Sequence, residues 1–401
     1  MRNMTAVVAI MAVFTLAVCF IILGSISVEL MARLEIDASQ FGTLITLFSL
    51  SCLVAQLFIG FMVDKFGHKP LAVSGFLIAG AAILCLAFST SYAFVRFATL
   101  LLGVGAICCN TVGNTLLPVV LFKGKDPARA SNFGCGFVGL GFVLVPLLIG
   151  TFMNDLGFSY RVSVSVIGVG VLVFAIAALL PRYPQVSTGF SLVKALDLVR
   201  KPEVLVAAVA LACYIGLEWT MNNWTKPLMT QLYEATGNTN AVRNASLVLM
   251  LFGFAMAVGR FAMSVLKNVS AMGVRIIAAL SVLAMLAIIV LVKAGSPGLA
   301  ILSVLVIGLA FAPMFPTIVG VTFAKFDQSV YGSVFGIIFS IGLLGSMILP
   351  KVVGYLSKGK TVQQSLPIAA VIAAVLFVIA IVMGAVGKPK KQQQPVQDSE
   401  G

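Results

Sequence analysis

The chain has 401 residues, 60% hydrophobic and only 10% charged, with a mean hydropathy of +1.11 and a formal net charge of +13. A soluble domain must face water with far more polar surface than that composition supplies, so it is excluded. A nucleic-acid partner would need a basic face on a soluble module, so the positive balance points instead to membrane topology and anionic headgroups.

A bilayer core about 30 Å thick takes roughly 20 apolar residues per helix. Lipid also forces each crossing segment to satisfy its own backbone, which favours helices. In chain order twelve runs qualify, at about 6–29, 41–63, 70–91, 94–122, 131–153, 162–181, 203–233, 245–266, 273–293, 298–324, 330–356 and 365–387. The expected fold class is an all-α membrane protein of twelve transmembrane helices. An even number of spans puts both termini on one side. Of the 26 Lys and Arg residues, 17 fall in or beside gaps on that side and 9 on the other, which predicts cytoplasmic termini. The first run has almost no charged segment before it and reads as a retained span rather than a cleaved signal. The seven cysteines lie inside spans without a ligand pattern, and the single histidine, His68, falls in a gap. No metal, no cofactor and no enzymatic constellation is expected.

The longest gap on the terminal side splits the spans six and six. The predicted organisation is an N-terminal six-helix bundle over 1–182, a cytoplasmic linker over 183–202, a C-terminal six-helix bundle over 203–387 and a disordered tail over 388–401. Within the linker, 191–200 has helical spacing with one apolar side, which predicts a helix on the inner membrane surface. The halves repeat weakly. At an offset of 204, Gly141, Pro146 and Gly150 match Gly345, Pro350 and Gly354, and Gly103 matches Gly308 at 205. Repeated halves place a solute site near the midplane between them.

Ionisable groups inside a membrane are costly and usually face a wet cavity. That makes Glu218, in the seventh run, the leading candidate. Tyr214, Glu218, Asn222 and Thr225 share one helical stripe, and Trp219 and Asn223 form a second beside it. With Trp224 they offer hydroxyl-bonding groups and aromatic faces, as a sugar would need. The competing reading pairs or neutralises Glu218 to hold helices together. Asn110 and Asn114, one turn apart, fit either solute binding or cross-helix packing. Gln56 is a weaker candidate of the same kind. Glu29 and Arg33, four residues apart, read as an interfacial salt bridge. Pro313 and Pro316 break the tenth run and free backbone carbonyls that neighbours or water must satisfy, suggesting a gating helix or a plain kink.

Between the second and third runs stands Gly60-Phe-Met-Val-Asp64-Lys65-Phe-Gly67-His68-Lys69. This resembles the loop signature of the major facilitator superfamily. Asp64 can accept bonds from a neighbouring helix N-terminus while pairing with a base, and Gly67 permits a tight turn. The second-half counterpart keeps Gly259-Arg260 but has no aspartate, so any latch there is differently built. Gly103-Val-Gly105 with Asn110 and Asn114, Tyr214-x-Gly216-x-Glu218, and Gly308 through Pro313 and Pro316 resemble the fucose:proton symporter-like branch of hexose carriers. The resemblance implies two pseudo-symmetric six-helix bundles and a secondary active transporter working by alternating access. It implies a small polar solute, sugar or sugar-like, with H+ as the coupling ion and a carrier active as a monomer. The short loops and 401-residue length point to a bacterial inner membrane. The alternatives are a uniporter or Na+-coupled carrier of another metabolite, or a proton-driven exporter of amphipathic compounds.

Overall fold

Twelve helices long and apolar enough to cross a membrane order the computed structural model, which describes residues 2–36, 38–184, 197–357 and 360–386. They are α1 (Arg2–Ser25), α2 (Ala38–Phe66), α3 (His68–Phe88), α4 (Tyr92–Val120), α5 (Pro127–Gly150), α6 (Tyr160–Leu179), α7 (Pro202–Ala235), α8 (Ala241–Val265), α9 (Val269–Val292), α10 in two pieces (Pro297–Phe311 and Met314–Phe323), α11 (Tyr331–Leu356) and α12 (Pro367–Ala385). Each predicted run falls on one of them, and the described residues contain no strand. Of the predicted surface helix at 191–200, residues 191–196 lie outside the described residues, as does the tail, and Leu198–Arg200 form a single 3-10 turn.

Polar punctuation starts the helices. Ser91, Ser159 and Ser296 each accept a hydrogen bond from a backbone amide three residues on, capping α4, α6 and α10. Proline occupies the first turn of α5, α7, α10 and α12, where its missing N–H costs nothing.

The repeated glycines explain how the halves are built. A Cβ on Gly141 would lie 2.5 Å from Ala17 of α1, and one on Gly345 would lie 1.9 Å from the Ala212 carbonyl of α7. Each contact joins the fifth helix of a half to its first. Gly103 likewise meets Phe48 and Ser51 of α2, and Gly308 meets Phe252 and Ala255 of α8, so fourth meets second in both halves. The two bundles touch along two seams. In one, α2 packs on α11 through Gly60, Gly332 and Gly336. In the other, α5 packs on α8, with Gly136 against the Phe261 ring and Gly139 against Ala257.

Two expectations at the periphery are corrected. Arg33 donates to the Ala87 carbonyl at 2.9 Å and lies over the Tyr160 ring, rather than pairing with Glu29. His68 is the first residue of α3, not part of a loop, and its Nε2 meets Thr115 Oγ1 of α4 at 3.1 Å.

Candidate functional site

The break in α10 shapes the centre of the molecule. Pro316 has no N–H to give to the carbonyl four residues back, so Ala312 O is orphaned inside the bundle. Arg260 of α8 supplies the missing donor through Nε at 3.1 Å. The same guanidinium turns Nη2 to Glu218 Oε1 of α7 at 3.2 Å, forming an ion pair. Arg260 is nearly sealed, with 7% of its side chain exposed, whereas 19% of the Glu218 side chain is exposed. This corrects the reading of Arg260 as part of a second-half loop signature and as a cytoplasmic surface charge. Without it, the basic residues still divide 16 against 9. Glu218 is thus paired to another helix and keeps part of its side chain exposed.

Beside Glu218, Trp219 reaches across to the other half, its ring 6.4 Å from Phe20 of α1, which in turn sits edge-on to Phe48 of α2. These three rings line a hollow between the bundles, with Ser49, Cys52 and Leu53 on α2 and Leu343, Ser346 and Met347 on α11. It holds about 320 Å³ of space, part of it continuous with solvent. Its walls are mostly apolar.

The other predicted residues divide. Tyr214 is fully buried, its ring against Phe311 and Phe315 and its hydroxyl near the Glu218–Arg260 pair. Asn222 and Asn223 are exposed, but each amide donates back to its own helix, to Glu218 O and Trp219 O. Trp224 turns away from the hollow. Its indole N–H donates to Pro350 O at 3.0 Å and its ring covers Gly354, both on α11 of its own bundle. Asn110 and Asn114 are buried and bonded to each other, Asn114 Nδ2 reaching Asn110 Oδ1 at 2.8 Å. Asn110 Nδ2 has no partner, and Cys135 Sγ of α5 approaches Asn114 Oδ1. Gln56 is buried, with Nε2 toward Thr111 Oγ1 of α4 and Oε1 unpartnered.

The end that carries the chain termini is shut. At the α2–α11 seam, Asp64 accepts from the backbone N–H of Gly332 at 2.8 Å and of Ser333 at 2.6 Å, and from the Ser333 hydroxyl. These are orphan donors at the start of α11, where the helix dipole favours a carboxylate. The expected base is absent: among the described residues the ion pair is that of Arg260 with Glu218. Lys65 lies over the Phe66 ring, and Lys69 is exposed. Gly60 must be glycine, since a Cβ would lie 2.4 Å from Gly332 O across the seam. Gly67 holds φ +83°, the left-handed turn that links α2 to α3.

A second closure escaped the sequence reading. Asp126 caps its own helix α5 through Arg129 N at 3.2 Å and also caps α9 of the other half. It accepts from Val269 N and Ser270 N, both at 2.9 Å, and from the Ser270 hydroxyl at 2.7 Å. Next to it Arg129 donates to Ser264 O, in the last turn of α8, at 2.7 Å. Asp126-Pro127 is legible as a helix start. Its partner, about 140 residues on, carries no local signal.

This architecture matches known proteins. The family model described as Major Facilitator Superfamily matches residues 8–350, and the chain belongs to that superfamily of membrane transporters. Over 94 residues it is 28% identical to the synaptic vesicular amine transporter of Homo sapiens, covering 23% of this chain and 18% of that protein. Over 117 residues it is 26% identical to the class H tetracycline resistance protein of Pasteurella multocida, covering 28% of each. The matched stretch thus spans about a fifth of the amine transporters' length. Among solved structures, the transporter FucP in its outward conformation gives a TM-score of 0.75 at 16% identity, covering 94% of this chain and 97% of that one. The proton:xylose symporter XylE gives 0.71 at 14%, covering 95% of each. Identities this low speak for the fold alone.

Proposed function

We propose that the chain is a secondary active transporter that moves a small polar solute, sugar or sugar-like, by alternating access, with Glu218 as the proton carrier. The observation that supports this most is the Glu218–Arg260 pair. It puts a partly exposed carboxylate at mid-span, next in sequence to Trp219, which lines a hollow between two bundles whose terminal end is latched shut. A carboxylate there can take a proton from the open side, and rocking of the bundles would present it to the other. The aromatic rings around the hollow suit the C–H faces of a sugar. Two proteins of similar structure, a fucose:proton symporter of E. coli and a proton:xylose symporter, agree with that class. The excess of basic residues on the terminal side supports cytoplasmic termini, and with the latched terminal end that makes this an outward-facing state.

The apolar walls of the hollow favour a second reading, a proton-driven exporter of amphipathic compounds, and the partial matches to an amine transporter and a tetracycline resistance protein fit it. Uptake and efflux in proteoliposomes under imposed proton or sodium gradients separate the two. Accumulation of sugar-like solutes with an inward proton gradient, lost in Glu218→Gln, is the expected result. Accumulation that survives the substitution would remove Glu218 as the carrier.

A further inference from the structure

Arg260 is a fixed charge in a nearly sealed place. Its guanidinium does not deprotonate in proteins, and two of its donors are spoken for, by Ala312 O and by Glu218. Among the described residues, the only carboxylate facing it is that of Glu218. The other titratable groups near the pair are the Tyr214 hydroxyl from α7 and the Cys135 thiol from α5. Neither is an anion at neutral pH in its ordinary form.

The reading of Glu218 as proton carrier, on which this inference rests, has a consequence for charge. When Glu218 takes a proton, the pair loses its negative member and leaves a buried cation without a counter-ion. Breaking a buried pair in this way is strongly unfavourable unless another anion replaces the lost partner. A neutral sugar brings hydroxyls but no charge. A carboxylate meets a guanidinium in a planar, two-bond geometry, and Arg260 still has unused N–H groups to offer.

We infer that the solute carries a carboxylate, as a sugar acid does, and that it takes the place of Glu218 on Arg260 in the protonated carrier. In the empty carrier Glu218⁻ and Arg260⁺ neutralise each other. On loading, one proton from the open side binds a Glu218 carboxyl oxygen and the solute carboxylate pairs with Arg260. On unloading both leave to the other side and the original pair re-forms. Proton and anion travel together, so each turnover moves no net charge and the site stays neutral in both re-orienting forms. The rings of Trp219, Phe20 and Phe48 would cover the rest of the solute.

The test uses the full-length protein in proteoliposomes with labelled glucuronate, gluconate, glucose and xylose. The pH gradient and the membrane potential are set independently, the latter with potassium and valinomycin. The expected result is accumulation of the acids when the outside is acid, with a rate indifferent to the sign of the potential. In detergent, glucuronate should stabilise Glu218→Gln against heat regardless of pH, because Arg260 is then permanently free. In Arg260→Gln its binding should weaken by at least about tenfold. A neutral sugar accumulated by an inside-negative potential would overturn the inference while leaving a proton-coupled carrier standing. So would glucuronate binding unchanged in Arg260→Gln. If neither gradient drives any of the four solutes, the carrier reading fails together with the inference.

Discussion

Arg260 has two jobs that different substitutions separate. With Glu218 it balances charge, and with Ala312 O it repairs the gap that Pro316 leaves in α10. Removing one member of a buried pair costs up to about 3–5 kcal/mol, less where solvent reaches it, as it reaches Glu218. The two single variants should not be equal. Arg260→Gln leaves a carboxyl that can protonate and go neutral, whereas Glu218→Gln leaves a cation that cannot. Arg260→Gln also strips the donor from Ala312 O, so the charge effect is read on the other background. Adding Arg260→Gln to Glu218→Gln should recover part of the melting temperature that Glu218→Gln loses. A double variant no more stable than Glu218→Gln would argue that the pair is too solvated to matter. Trp224 and Trp219 offer a second contrast. Trp224→Phe removes one hydrogen bond to Pro350 O, worth about 1 kcal/mol, and should lower stability slightly with unchanged solute affinity. Trp219→Ala opens the wall of the hollow and should raise the half-saturation concentration for uptake severalfold with little thermal effect.

The helices, taken as units, meet at glycines, but the contacts differ in what they control. Gly345 joins α11 to α7 inside one bundle, and a Cβ there would collide with the Ala212 backbone. Gly60 joins α2 to α11 between bundles, and a Cβ there would collide with Gly332 O. Overpacking costs typically about 1–3 kcal/mol wherever it falls. In Gly345→Ala that energy strains a contact present in every state, so the expected outcome is a lower melting temperature. In Gly60→Ala the strain is relieved when the bundles part at the terminal end. This variant should hold its stability better and shift the carrier toward the inward-open form. The native Cys135 reports the shift: it sits buried on α5 behind the closed seam. With the other cysteines replaced, its maleimide labelling should speed up in Gly60→Ala and not in Gly345→Ala. Equal labelling in both would mean that the α2–α11 seam does not move.

At the scale of the whole molecule, the twelve spans were legible because lipid demands length and hydropathy, and both are written locally. So were the break at Pro313 and Pro316, the turn at Gly67 and the capacity of Asp64 to bind a helix N-terminus. Pairings between distant residues were not. Arg260 looked like loop charge because sequence position alone cannot tell a membrane end from the mid-span reach of a long side chain. Trp224 looked like a solute contact because a helical stripe does not say which neighbour covers it. Asp126 passed as an ordinary cap, since its second set of donors begins at Val269. Together Asp64 and Asp126 close both seams without the missing second-half aspartate. Both carboxylates come from the N-terminal bundle, and both capped helices, α11 and α9, belong to the C-terminal one. If the bundles rock as rigid bodies, one motion must break both caps. Each Asp→Asn change removes the charge facing a helix dipole and turns one of two accepting oxygens into a donor, a loss of at least about 1–2 kcal/mol in partly buried geometry. That corresponds to about a 5–30-fold shift in the closed-to-open ratio. The two sites share no partner, so their free energies should add, and the double variant should speed Cys135 labelling by the product of the single effects. A double variant no faster than either single one would show that the seams open independently, and that the halves do not move as two rigid bodies.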